Sequence, residues 1–324
     1  LLRNGTTTAV YFATVHQEAT RLLADICLAK GQRALVGKVA MDNPDSCPDY
    51  YRDASAQASI DGTRAIIDYI RSHPDNTEER VLPVITPRFI PSCTDEALAG
   101  LGRLAAECGC HIQTHCSESE WEHSYVLERH GMTAAASLNR FGLLGRHTVL
   151  AHATLLTDPD MDLVIVRQSA ACHCPLSNAY FGDAVFPLRA ALERGMHVGL
   201  GTDISGGPTA SILESARMAM AVSRVLEKGA DPARPAAERA RPNSAIDFRT
   251  AFYLATCGGG VALDLPIGRF DVGCRFDALR VDSAAADGTI RLFGTSDPER
   301  VLQKVVYTAS RPNIADVWVD GLAV

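Results

Sequence analysis

Three short apolar runs in this chain end in side chains that bind metal ions. His115 closes the run His111-Ile112-Gln113-Thr114-His115, His152 closes Val149-Leu150-Ala151-His152, and Asp203 closes Val198-Gly199-Leu200-Gly201-Thr202-Asp203. Two imidazoles and a carboxylate form a borderline-soft nitrogen and oxygen set that suits zinc or iron(II). A single His or Asp at a strand end is ordinarily a capping or loop residue. It is the recurrence at three strand ends that points to a metal. His173 also ends an apolar run, between Cys172 and Cys174 and before Pro175; there a substrate-facing or supporting role competes with ligation.

Two further segments carry side chains suited to proton transfer and recognition. Glu118 follows His115 by three residues, at the opening of the next expected helix. A carboxylate in a first turn stabilises a helix through its dipole. One turn from a metal ligand, it can also carry protons between bound water and a leaving group. The neighbouring Glu120 and Glu122 read as solvated. Thr86-Pro87-Arg88-Phe89 follows another strand-like run. In a barrel mouth, Arg88 would present a fork for carbonyl or carboxylate oxygens, and Phe89 an aromatic face for a flat substrate. The plainer alternative is an arginine ion-paired at the rim. Ser205-Gly206-Gly207 after Asp203 adds a flexible turn with backbone amides.

The elements that would position these residues alternate regularly. Strands are expected over 6–12, 34–41, 81–86, 112–115, 148–152, 169–174 and 198–202. Helices are expected over 17–30, 54–72, 94–107, 118–129, from near Asp158, and over 184–194 and 210–227. The 34–41 run is apolar on both faces apart from Lys38, as in a parallel strand covered by helices. Seven strand–helix units in about 225 residues have the spacing of right-handed crossovers. An open doubly wound sheet is the competing architecture, but the chain has neither a G-x-G-x-x-G nor a Walker A sequence. Polar residues at the C-terminal ends of strands favour an eight-stranded (β/α) barrel, whose active sites lie on that face, here without its first strand.

After residue 227 the pattern changes. An Ala/Pro/Arg-rich loop is expected over 230–243 and a helix over 244–254. Gly258-Gly259-Gly260 should break the helix, with a short one resuming at Val261. Strands are then expected over 277–281 and 289–292, with a hairpin turning at Asp320-Gly321. The expected division is a barrel over residues 1–265 and part of a small β domain over 266–324.

Composition narrows the classes. Apolar residues make up 47% and charged residues 21%, a globular balance that excludes disorder and low complexity. With 31 basic and 38 acidic residues the net charge is -7, which offers nothing to nucleic acid or an anionic membrane. No apolar run reaches the ~18 residues of a spanning helix. The ten cysteines sit mainly inside apolar runs and suit a reduced, cytoplasmic setting.

Taken in order, Thr86-Pro87-Arg88-Phe89, His115-Cys116-Ser117-Glu118, His173-Cys174-Pro175-Leu176-Ser177-Asn178 and Gly201-Thr202-Asp203 resemble the guanine deaminases of the zinc-dependent amidohydrolase superfamily. Gly37-Lys38-Val39 and Gly268-Arg269-Phe270-Asp271-Val272-Gly273 extend the resemblance over essentially the whole chain. It implies a metal-dependent barrel in a homodimer, with His115, His152 and Asp203 as zinc ligands and Glu118 as proton shuttle. It also implies Arg88 on the oxygen edge of the purine, Phe89 beside the ring, and His115 and His173 lining the substrate. The reaction implied is hydrolysis of guanine to xanthine and ammonia.

The sequence departs from the family at one point: it contains no H-x-H, the first-strand pair that completes the zinc set. An upstream glutamine used on the purine is also missing. A protein limited to these residues is expected to bind zinc poorly and to be inactive, whereas a complete parent would be an enzyme. Two alternatives stay open: a hydrolase of another aminopurine, pterin or triazine ring, and a metal-free barrel acting as an interaction subunit.

Overall fold

The computed structural model describes residues 1–182 and 184–324, which form two compact units, Thr8–Ala171 and Leu1–Thr7 with Cys172–Val324. The first unit alternates strand and helix: β1 (Thr8–Phe12), α1 (Gln17–Ala29), β2 (Arg33–Gly37), β3 (Val39–Ala40), α2 (Ala56–Ser72), β4 (Val81–Pro87), α3 (Asp95–Cys108), β5 (His111–Cys116), α4 (Glu120–His130), α5 (Ala134–Arg140), β6 (Thr148–His152) and α6 (Asp158–Val166). The strands pair in parallel in the order β1-β2-β4-β5-β6, with β3 also on β4. Every residue of β2 and β6 is buried, which is why the middle of each, Ala34-Leu35-Val36 and Val149-Leu150-Ala151, is apolar on both faces. Ala24 and Cys27 of α1 and Ile66 and Ile70 of α2 close over Ala34, Val36 and Val81 to form one core cluster.

The expected strand over 34–41 is two strands, interrupted at Lys38. Lys38 is 2% exposed, and its Nζ donates to Asp53 at 2.7 Å and to the Val39 carbonyl at 3.1 Å. Burial pulls its ammonium below the ordinary lysine range, while Asp53 opposes that shift. Removing one partner of such a pair strands a buried charge, at a cost of about 3–5 kcal/mol. The same region is tied forward: both Asp42 oxygens accept hydrogen bonds from Thr94, the N-cap of α3. Helix α5 was not expected; Thr133 caps it by accepting from the Ala136 N–H.

Beyond Leu1–Thr7, the second unit takes in the last two residues of β7 (Ala170–His173) and continues through α7 (Pro175–Ser177), α8 (Leu188–Glu193), β8 (His197–Leu200), α9 (Ile212–Lys228), α10 (Ala236–Arg239), α11 (Phe248–Ala255), α12 (Cys257–Leu263), β9 (Ala278–Val281), α13 (Pro298–Thr308), β10 (Ile314–Val319) and β11 (Leu322–Ala323). Three expectations are corrected here. Helix α12 runs through the three glycines instead of breaking at them. A Cβ at Gly258 would lie 2.7 Å from the Val198 carbonyl, and one at Gly260 would lie 2.3 Å from that of Ile267. The glycines therefore allow close backbone approach rather than end the helix. Residues 289–292 are not a strand: the Thr289 N–H and hydroxyl are taken by Asn313 and by the Thr308 carbonyl. Helix α13 lies where only strands were expected, capped by Asp297 with Pro298 at its first position.

The hairpin is as expected. Strands β10 and β11 pair antiparallel, and Asp320 and Gly321 adopt φ of 54° and 77°, the left-handed pair of a two-residue turn. With β9 on the other side of β10 they make a three-stranded sheet. All ten cysteines are free thiols. Among the described residues no helix is long and apolar enough to cross a membrane.

Candidate active site

In the first unit, adjoining strand ends bring His115 and His152 together. The β5–β6 register sets His115 opposite Ala151 and Cys116 opposite His152, and the two imidazoles stack with centroids 5.3 Å apart and planes 19° from parallel. Both strands leave the sheet through left-handed backbone, with φ of 52° at Ser117, 67° at His152 and 54° at Ala153. Side chains other than glycine hold that conformation only where neighbours over-determine it. Here the Ala153 N–H donates to the Cys116 carbonyl and the Leu155 N–H to that of Ser117, each at 3.0 Å.

The His115 ring is oriented from the preceding strand. Its Nδ1 lies 2.7 Å from the Arg88 carbonyl, which also accepts the His115 N–H. With Nδ1 donating, Nε2 carries the lone pair, which is how proteins commonly orient a metal-binding histidine. Glu118 places Oε1 3.6 Å from His152 Nε2, with His152 1% and Glu118 25% exposed. Phe12 packs against His115 with ring centroids 4.3 Å apart, and Phe89 meets that ring edge-on at 6.5 Å. The exposed Arg88 lies over Phe89, its Cζ 5.6 Å from the ring centroid, a cation–π contact rather than a rim ion pair.

The second unit holds the other two expected residues. Asp203 has φ of 49°, and its Oδ2 accepts from the Ser177 hydroxyl at 2.6 Å. A Cβ at Gly206 would fall 2.6 Å from that same oxygen, so the turn after Asp203 must be glycine to leave the carboxylate its room. His173 is 1% exposed, with its ring 5.4 Å from Phe186. The His173 carbonyl accepts from the Gly201 N–H at 2.9 Å, and a Cβ on Gly201 would press on the sulfurs of Cys172 and Cys174 at 2.8 and 2.7 Å.

Two expectations about the acidic segment change. Glu118 lies just before α4 rather than in its first turn, since Ser119 is the N-cap. Glu122, read as solvated, is 1% exposed. Residues not expected at the site include Phe12 against His115, Ser177 on Asp203, and Trp121, whose indole lies 6.2 Å from Phe89. Only Ser177 had a sequence signal, its place in the His173-to-Asn178 motif.

The imidazole pair suits zinc in donor chemistry, and the His115 ring also in orientation, its Nδ1 being held by the Arg88 carbonyl. Among the described residues no group of three or more His, Cys, Asp or Glu side chains is arranged to hold a metal ion.

The chain belongs to the amidohydrolase family, whose profile matches residues 1–324. It is similar, within that family, to proteins named guanine deaminase. Over 99% of its length it is 40% identical to a probable guanine deaminase of Schizosaccharomyces pombe and 34% identical to guanine deaminase of Homo sapiens. It spans 59% of the former's length and 69% of the latter's. The solved structure of guanine deaminase from C. acetobutylicum with guanine in its active site aligns with a TM-score of 0.87 at 30% identity, covering 100% of this chain and 73% of that one. The fold is thus of the amidohydrolase (β/α)-barrel class with a small antiparallel sheet near the C-terminus, and not an open doubly wound sheet.

Proposed function

We propose that the protein hydrolyses guanine to xanthine and ammonia as a zinc-dependent aminohydrolase. The names of its relatives support the substrate. The observation that carries the chemistry is the stacked His115–His152 pair with the Glu118 carboxylate 3.6 Å from His152 Nε2.

His115, His152 and Asp203 would hold the zinc. When bound, zinc lowers the pKa of water from about 15.7 toward ~7 and so supplies a nucleophile at neutral pH. Asp203 takes the proton released by the attacking water at its carboxylate, which the Ser177 hydroxyl steadies. Glu118 protonates the ring nitrogen as the C–O bond forms at the amino-bearing carbon, is reloaded with the proton that Asp203 took, and passes it to the amino group as the C–N bond breaks and ammonia leaves, while the added hydroxyl returns its proton to Glu118 on becoming the carbonyl. Arg88 donates a charge-assisted hydrogen bond to the purine oxygen, which favours guanine over adenine. Phe89 covers the ring, and His115 and His173 line it.

The protein is further read as a cytoplasmic homodimer without nucleic-acid or membrane partners, a reading that rests on family resemblance and net charge. The test is ammonia release by the purified full-length protein from guanine, adenine and ammeline, alongside its zinc content. About one zinc per chain and a preference for guanine are expected. Release from ammeline or adenine instead would move the substrate to another ring, and a metal-free protein without turnover would leave the interaction-subunit alternative.

A further inference from the structure

Glu122 is a carboxylate in an unfavourable place. It occupies the third position of α4, yet its side chain is 1% exposed. Burying a carboxyl group is unfavourable unless its oxygens are well used. One of them, Oε1, makes no hydrogen bond of normal geometry. The other, Oε2, accepts from the Glu118 N–H at 2.8 Å.

In a capping box, the third-position Glu reaches back to the N–H of the N-cap itself while the N-cap hydroxyl accepts from the third-position N–H. Half of that arrangement is present: the Ser119 hydroxyl accepts from the Glu122 N–H at 3.3 Å. The Glu122 side chain overshoots the N-cap and grips the residue before it. That residue, Glu118, sits between the left-handed Ser117 and the start of the helix, with its own carboxylate beside His152.

We infer that Glu122 is a positioning residue, whose carboxyl oxygen fixes the Glu118 backbone so that the Glu118 side chain is held at the His152 side of the site. This rests on Glu118 being the proton carrier proposed above. What the role requires is an acceptor oxygen at the correct reach, not a negative charge. Burial accordingly pushes the Glu122 carboxyl up to about 7, so it is substantially protonated near neutrality. A displacement of Glu118 by ~1 Å would slow proton transfer by up to about 100-fold.

The experiment compares Glu122→Gln, Glu122→Met, Glu118→Gln and the double variant Glu118→Gln/Glu122→Met in the zinc-loaded full-length protein, reading kcat, KM for guanine and zinc content. Glu122→Gln keeps the acceptor and should hold kcat within about twofold. Glu122→Met keeps the volume without it and should lower kcat by about 10- to 100-fold, with KM and zinc little changed. The double variant should be no slower than Glu118→Gln alone, because the two residues act through one proton transfer. The inference is overturned if Glu122→Met keeps the parent kcat, if Glu122→Gln is as slow as Glu122→Met, if zinc is lost together with kcat, or if the two losses multiply in the double variant. Should Glu122→Met not fold, Glu122→Asp replaces it. That substitution draws the acceptor back by one methylene and should lower kcat, while an unchanged kcat overturns the inference. Full turnover by Glu118→Gln defeats the proton-carrier reading and this inference with it. A slow Glu118→Gln beside an unimpaired Glu122→Met defeats this inference alone.

Discussion

The two units hold their site residues by different means. In the first, His115 and His152 are fixed mainly through the backbone: parallel register, the Arg88 carbonyl on His115 Nδ1, and two main-chain hydrogen bonds across the strand exits. In the second, Asp203 is fixed by a side chain and by the absence of side chains, the Ser177 hydroxyl on its Oδ2 and the glycine at 206 beneath it. Backbone scaffolding survives most substitutions nearby, since any residue supplies the same carbonyl. Scaffolding by a hydroxyl and a missing Cβ does not. The contrast predicts that the Asp203 side is the more easily damaged by conservative changes around it.

The largest effect should come from Asp203→Ala in the full-length protein, with turnover falling below detection and zinc retention weakened, as metal analysis and ammonia release would record. Retention of full zinc would remove Asp203 from the ligand set. Glu118→Gln follows, with kcat lower by about 100-fold or more and zinc unchanged; near-normal turnover would sink its proposed role. Arg88→Ala should lower guanine kcat/KM by about 10- to 100-fold, the worth of one charge-assisted hydrogen bond, with no change in metal content. An unaltered preference for guanine over adenine would reject recognition by Arg88. Ser177→Ala sharpens the comparison most directly. It should lower kcat by about tenfold, whereas a substitution at Arg88, whose backbone carbonyl accepts from His115, should leave His115 in place and zinc bound. If Ser177→Ala is silent, the Asp203 side is no more fragile than the other.

The smallest effect is on stability. Burial raises the Glu122 carboxyl from the ordinary 4.5 to about 7. Between those values the unfolded chain has released this proton while the folded chain still holds it. The stability contributed by the raised pKa is therefore complete below pH ~4.5 and is lost as pH rises through about 7, by about 3 kcal/mol at most. Glu122→Gln has no such proton. Its melting temperature relative to the parent should therefore climb between pH 5 and 8, and a gap that stays constant would contradict the buried placement of Glu122.

The sequence exposed the strand ends well. Buried parallel strands are contiguous apolar runs that stop abruptly, so His115, His152 and Asp203 stood out as polar terminators, and β5, β6 and β8 lie close to where they were expected. It exposed side-chain partnerships poorly. Glu118, Glu120 and Glu122 look alike as acids around a helix start, and only the path of the chain decides that Glu122 turns inward. The glycines of α12 looked like a breaker because their function, close approach to the Val198 and Ile267 carbonyls, depends on distant partners. Helix α13 was missed because its start signal, Asp297 as cap with Pro298 at the first position, lies in a stretch where only short strands and turns were sought.

The proposed function requires one zinc shared by His115, His152 and Asp203. A crystal structure of the zinc-loaded full-length protein, with the metal located by its anomalous scattering, tests this directly. A single zinc with His115 and His152 nitrogens and an Asp203 oxygen at ~2.0–2.2 Å is expected. Zinc bound elsewhere, or these three side chains in separate pockets around intact strands, would contradict it.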